Sequence, residues 1–211
     1  DMVHVGLTSI KEENPGQIYW DHEVVCHWKG NEGETVRVAC CTNCPEVDLL
    51  LNGVSVGLKK REDFPNGTIY WDIPYEKGTL KAVGKRNGNI CCTHELKSAG
   101  EPTKLQLLAD TIILKADKQD VAHVEVNILD QDETLVYDAD NQINCEIEGP
   151  GEMIGMECSN PASHQDYKAN FRNAYHGKLL IYVKSTDQPG TITLKTSSGG
   201  LESSTIEIKV E

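Results

Sequence analysis

Eight cysteines are the first residues of this 211-residue chain whose type and spacing could do chemistry. Cys26, Cys40, Cys41, Cys44, Cys91 and Cys92 lie in the first half, Cys145 and Cys158 in the second. Cys41-x2-Cys44 has the spacing of a zinc knuckle, and a structural zinc site needs a second knuckle or a pair of histidines at turns. The available partner is Cys91-Cys92. Those two are adjacent in a strand pattern, where neighbouring side chains point to opposite faces, so both cannot readily ligate one metal. Adjacent pairs also do not resemble a disulfide framework, which uses spaced single cysteines. The expectation is buried free thiols, because free Cys packs as a small hydrophobe. A bridge from Cys40 or Cys41 to Cys91 or Cys92 is the alternative in an oxidising compartment.

Three further sets of residues invite a chemical reading. Asp130-Gln131-Asp132 and Asp138-Ala139-Asp140 could suggest calcium, but the oxygens and the Gly and Glu that a calcium loop adds are absent from both runs. Solvated turn carboxylates are expected there. Ser163, His164, Asp166 and His176 contain the residue types of a hydrolytic triad, yet no G-x-S-x-G elbow is present and nearness in sequence is not triad geometry. Trp20, Trp28 and Trp71 could stack on sugar faces. Trp71 lies inside a strand pattern and reads as core. Trp20 lies in a polar segment and reads as exposed, and Trp28 reads as a contact for a neighbouring domain. His123 falls on the polar face of an alternating strand and reads as solvated.

The bulk composition narrows the classes. The net charge is −13, which argues against nucleic acid and against anionic membrane surfaces, both of which call for basic patches. No run of about twenty apolar residues exists to span a bilayer. The chain opens at Asp1 without a signal peptide pattern and reads as a piece of something longer. Hydrophobic residues are 38% and aromatic residues 6%, a supply that fills two thin sandwiches more easily than one large core.

The elements that must position these residues are strands. Residues 47–57, VDLLLNGVSVG, spell a hairpin: Val47, Leu49 and Leu51 alternate with Asp48 and Leu50, and Asn52-Gly53 supplies the positive φ values of a type I′ turn. Strand patterns follow at 68–73, 79–84 and 90–97, separated by turn residues. After a small, Gly- and Pro-containing linker, the second half begins again with 104–109, 121–129, 143–148, 178–184, 191–196 and 204–210. Strands every ten residues or so indicate sandwiches. The expected fold is all-β, two tandem immunoglobulin-like β-sandwich domains, at 1–101 and 102–211. The long irregular stretch 158–177 is the unusual feature of the second, and such loops are often functional or interface elements.

At this level the residues resemble a known family. VDLLLNGVSVG followed by IYWDIPYEKGTLKAVGKRNG is similar to the β-sandwich that follows the catalytic barrel in bacterial glycoside hydrolase family 2 β-galactosidases. Its pattern there is an ELFLNGKSLG-like hairpin and then W-x-V-P-Y-x-x-G-T-L. Cys26-His27-Trp28-Lys29-Gly30 resembles that family's H-W-N-W segment without its second tryptophan. LKADKQDVAHVEVNILDQD and IEGPGEMIGMECSNPASHQDY resemble the bacterial Ig-like C-terminal domain of the same enzymes, with Cys158-Ser159 in place of the usual Asn-Gly before Asn160.

The resemblance implies a retaining glycosidase whose two glutamates, about 5–5.5 Å apart, lie on a (β/α)8 barrel. Neither glutamate maps onto this chain. The implied role is non-catalytic: bracing or shaping the barrel of the same parent chain, in the periplasm or outside the cell. A carbohydrate-binding module and a passive spacer or adhesion element are the alternatives. Trp20, His27, Trp28, Asn160 and His164 are the candidates for contact with a neighbouring domain or a glycan. No catalytic residue, metal or cofactor is assigned.

Overall fold

The computed structural model describes residues 1–8 and 24–211, divided into two units, Asp1–Ser98 and Ala99–Glu211. In the first unit, β1 (Val3–Thr8), β2 (Thr35–Thr42), β3 (Glu46–Leu51), β4 (Val54–Lys60), β5 (Thr68–Pro74), β6 (Thr79–Arg86) and β7 (Asn89–Lys97) make two sheets. Their orders are β1-β2-β5 and β4-β3-β6-β7. Alternation fixes which face is buried. Along β3 the side chains of Val47, Leu49 and Leu51 point inward, and along β5 those of Ile69, Trp71 and Ile73. With Val5, Val38, Leu80 and Trp28 they form one core between the sheets. A short 3-10 turn at Arg61–Asp63 interrupts the charged loop after β4.

The 47–57 hairpin is as its sequence predicts. Asn52 and Gly53 have φ values of 51° and 82°, Leu51 pairs with Val54 across the turn, and the register shifts once, between Leu49 and Leu50.

The second unit contains β8 (Lys104–Ala109), β9 (Ile113–Leu114), β10 (Val121–Leu129), β11 (Gln142–Glu148), β12 (Gly151–Glu157), β13 (Phe171–Asn173), β14 (Lys178–Ser185), β15 (Gly190–Ser197) and β16 (Ser204–Val210). The sheets run β12-β14-β10-β8 and β13-β11-β15-β16-β9. β10 alternates as its sequence indicates: Ala122, Val124, Val126 and Ile128 are fully buried. They meet Ile143, Ile181, Ile192 and Leu194 in a single core. The pairings between these strands are antiparallel except that of β16 with β9. Trp71 is core, and its indole N–H donates to the Gly57 carbonyl at 3.1 Å.

Candidate functional site

Two built features stand out, one in each unit. The first is the turn after β5, residues 74–78, and it is held from several directions. Trp28 Nε1 donates to the Glu76 carbonyl at 2.9 Å. The Trp28 ring lies tilted against Tyr75 with centroids 5.0 Å apart. The Tyr75 backbone N–H donates to Glu34 O and its carbonyl accepts from Gly33 N, while the Lys77 N–H donates to Glu32 Oε1 at 3.0 Å. From the hairpin side, Asn52 Nδ2 donates to Glu76 Oε1 and to the Lys77 carbonyl, and Asn52 Oδ1 accepts from Thr79 N. Two glycines make the approach possible. A Cβ at Gly30 would stand 2.9 Å from the Tyr75 ring, and one at Gly78 (φ 138°) would collide with the Asn52 carboxamide.

This geometry revises the expectation for Trp28. The side chain is 1% exposed, so it offers a face neither to a sugar nor to a neighbouring domain. It packs inside its own sandwich and orders the 74–78 turn. His27 beside it is half-buried. Trp20 lies outside the described residues.

The second feature is the loop from Cys158 to β13. Its anchor is Arg172, whose side chain is fully buried on a strand. Burying a cation is costly unless its donors are satisfied. Here Nε donates to Cys158 Sγ at 3.4 Å, one terminal nitrogen to the Gln165 carbonyl at 3.0 Å, and the other to Ser163 Oγ at 3.3 Å. The guanidinium also lies over the Tyr167 ring, 4.3 Å from its centroid, an attraction that strengthens as water is removed. Gln165 in turn exchanges two hydrogen bonds with Asn173, through Nε2 to Oδ1 and from the backbone N–H to Oε1.

Asn160 is half-buried and makes a local turn, its Oδ1 accepting from Ala162 N at 3.0 Å. Ser159, at the position where the resembling family carries Gly, takes φ 54°, and the turn itself follows at 161–162, closed by Ser163 N donating to Asn160 O. His164 is exposed, as are Tyr167 and Phe171. Ser163 Oγ is engaged by Arg172, and the His176 ring stacks on Tyr137 and lies tilted against Tyr175, so the triad residue types are not assembled as a triad. The sequence reading did not foresee Arg172. A charged residue inside a three-residue strand ordinarily reads as outward-facing, and no local pattern marks the three acceptors that converge on it.

Elsewhere the electrostatics are structural. Asp130 is not a solvated carboxylate: it is 4% exposed, with Oδ2 accepting from Gly100 N and Oδ1 from Asp132 N and Thr134 N. Burial pushes its carboxyl up, but these three N–H groups outweigh that and hold it below the ordinary 3.8. His123 pairs with Asp110 at 2.7 Å on an exposed surface. Among the described residues, no three His, Cys, Asp or Glu side chains gather as a metal-holding group. The buried Cys40 and Cys145 thiols are pushed up by burial, to about 12 and about 11.

Residues 105–207 match the family described as glycoside hydrolase family 2 C-terminal domain 5. That match spans both sheets of the second sandwich and includes the Arg172 loop. The chain belongs to the C-terminal sandwich domains of glycoside hydrolase family 2. Residues 33–92 match a family described as a domain of unknown function (DUF4982), which contains the hairpin and the 74–78 turn. A β-galactosidase of Bacteroides ovatus, BoGH2A, is 34% identical over 186 residues, covering 88% of this chain and 22% of that protein. A putative β-glucuronidase of Formosa agariphila is 31% identical, over 82% of this chain and 17% of its own length. The crystal structure of a family 2 member from Bacteroides cellulosilyticus superposes with a TM-score of 0.90 at 29% identity, across 99% of this chain and 28% of that one. The family 2 chain thus spans about a fifth of the length of the curated relatives it matches.

Proposed function

We propose that this chain is the non-catalytic C-terminal region of a retaining family 2 glycosidase, and that its sandwiches brace and shape the rim of the catalytic barrel of the same polypeptide. The observation that carries this reading is the extent of the likeness. Both sandwiches align together, over 88% of the chain, onto a fifth of a β-galactosidase. The geometry supports it. Sandwich loops cluster at the ends of the sheets, where they can abut a neighbour. Here two of them are stiffened from within, one by Trp28 and Asn52 and the other by Arg172. A stiff loop can hold a neighbour in place; His164, Tyr167 and Phe171 are the exposed side chains that the Arg172 loop presents. The favoured parent activity is β-galactoside hydrolysis, and the parent is placed in the periplasm or outside the cell, where glycans are met.

Sugar binding by the sandwiches themselves is the competing reading. The burial of Trp28 counts against it, because a stacking platform must show a ring face. The test compares the parent polypeptide with and without residues 1–211 on aryl β-galactosides and aryl β-glucuronides, alongside the 211-residue chain alone. Hydrolysis of the galactoside by the intact parent, a lowered thermal midpoint or lost turnover on truncation, and an inactive isolated chain are expected. A parent without a barrel, or a truncated enzyme equal to the intact one in turnover and thermal midpoint, would refute bracing. Saturable binding of galactosides to the isolated chain would establish the module instead.

A further inference from the structure

Gly84 on β6 pairs with Cys92 on β7 at one side and with Val47 on β3 at the other. Cys44 stands just before β3, and its sulfur reaches over Gly84 to lie 3.4 Å from that of Cys92. A Cβ at residue 84 would sit 2.7 Å from Cys44 Sγ and 2.9 Å from Cys92 Sγ, so the glycine leaves the space in which the thiols meet. The β6–β7 register shifts at this point, between Gly84 and Lys85.

The other thiols of this unit are placed differently. Cys26 is exposed beside His4, Cys40 is inside the core, Cys41 is exposed beside Thr68, and Cys91, which also reaches the Cys44 thiol, has its Sγ turned toward the Asn89 carbonyl at 3.6 Å. We propose that Cys44 and Cys92 are a disulfide-forming pair, closed by an oxidant of the small-molecule disulfide class. This differs from the bridges expected from sequence, which used Cys40 or Cys41, and it is independent of the parent's activity.

Closing the bond brings the sulfurs from 3.4 Å to about 2 Å, which a side-chain rotation of two facing thiols can supply. Cys92 is the more accessible partner and Cys44 is fully buried. Burial pushes the Cys44 thiol up, but hydrogen bonds with Thr42, Cys92 and Cys91 and the charge of Arg86 together outweigh it and leave it more acidic than an ordinary thiol. Burial and the Cys44 contact instead push Cys92 up to about 11. In the first step the Cys92 sulfur, losing its proton, attacks the oxidant's disulfide and releases one small thiol. The Cys44 thiolate then attacks Cys92 Sγ and expels the second. One protein S–S bond forms, the oxidant's S–S bond breaks, and its two thiols carry the two electrons and two protons. Access sets the order of the two attacks, since the oxidant can reach Cys92 and not the buried Cys44, and the more acidic Cys44 then supplies the thiolate for the second.

The test uses the 211-residue chain with excess glutathione disulfide, followed by alkylation and tryptic mapping. Peptides 38–59 and 87–97 are expected to appear joined, with Cys40, Cys41 and Cys91 alkylated and a mass two hydrogens below the sum of the two peptides so alkylated. The link should persist in Cys91→Ser and vanish in Cys44→Ser and Cys92→Ser. The oxidised chain should unfold at higher urea than the reduced one and return to the lower midpoint with dithiothreitol, because closing a loop restricts the unfolded chain. Should a serine variant fail to fold, Gly84→Ala, which puts a methyl between the sulfurs, is expected to lose the link in an otherwise folded chain. A link that survives Cys92→Ser, an undiminished yield in Gly84→Ala, or glutathione adducts with all peptides unjoined would overturn the proposal.

Discussion

The Asn52 carboxamide oxygen accepts the Thr79 backbone N–H at 2.8 Å. The residue that makes the β3–β4 turn therefore also fixes the start of β6. The same carboxamide donates to Glu76 and Lys77. One side chain thus joins two turns that lie more than twenty residues apart, and it can do so only because Gly78 has no side chain in its way.

Substitution separates the two roles of Asn52. Asn52→Gly tolerates the φ of 51° but leaves Thr79 N without this acceptor, at a cost of about 1 kcal/mol. Asn52→Ala loses the same bonds and, unlike the glycine variant, keeps a Cβ in the left-handed region without the polar side chain that lets Asn tolerate it, about 1–2 kcal/mol worse than Asn52→Gly. Urea unfolding should rank wild type above Asn52→Gly and Asn52→Gly above Asn52→Ala. Equal midpoints for the two variants would show that the backbone conformation is not what selects the residue.

Sequence showed this turn because its chemistry is local: Asn-Gly and flanking alternation sit within eleven residues. It showed β10 for the same reason. What it hid depends on distant partners. β1, with Gly6 in its middle, has no strand pattern in the sequence to announce it. In the fold that glycine admits Val24 and the Val25 carbonyl, which would lie 2.5 and 2.7 Å from a Cβ. Asp130 reads as a wet turn acid because one of its three donors, Gly100, is thirty residues away. Arg172 reads as surface because no local signal marks a thiol, a carbonyl and a hydroxyl converging on one guanidinium. The family resemblance located the loop that holds Asn160 and His164, but not the residue that shapes it.

Trp28 is expected to behave as a core residue with one directional bond. Trp28→Phe keeps most of the packing against Tyr75 and loses the donor to Glu76 O, at about 1 kcal/mol. Trp28→Ala empties a large site and should cost about 3–5 kcal/mol. Denaturant midpoints of the two variants check the ranking. A Trp28→Ala chain as stable as wild type would mean that the ring is not packed in this core.

Arg172 should control the loop more than the sandwich. Arg172→Lys retains charge but not the planar fork that serves three acceptors. Hydrogen bonds to a charged group are worth about 1.5–3 kcal/mol each, so local opening of the loop should rise at least ~10-fold. Trypsin reports this directly at Lys168, which lies in the exposed part of the loop. Cleavage after Lys168 should accelerate in Arg172→Lys and Arg172→Met while the global urea midpoint moves less. Unchanged cleavage in both variants would sink the anchoring role.

Asp130 sets a pH dependence with a definite sign. Its folded carboxyl is held below the ordinary value near 3.8 by three backbone N–H donors that outweigh burial. A group whose folded pKa is depressed contributes stability that is fully present above the unfolded value. That stability is lost as pH falls through the lower, folded one. The second sandwich should therefore be steady from neutral pH to about 5 and weaken below about 4. Asp110 and Glu125, also held low by their partners, add to the same slope, so the informative quantity is a difference. Asp130→Asn replaces an acceptor oxygen with a donor NH2 that faces backbone N–H groups. It should be less stable than wild type at pH 7 and lose less stability on acidification, so the two curves converge as pH falls below the ordinary carboxyl range. Urea titrations of both chains at several pH values supply the comparison; curves that stay parallel down to the acid limit would remove Asp130 from the account and leave its neighbours as the source of the slope.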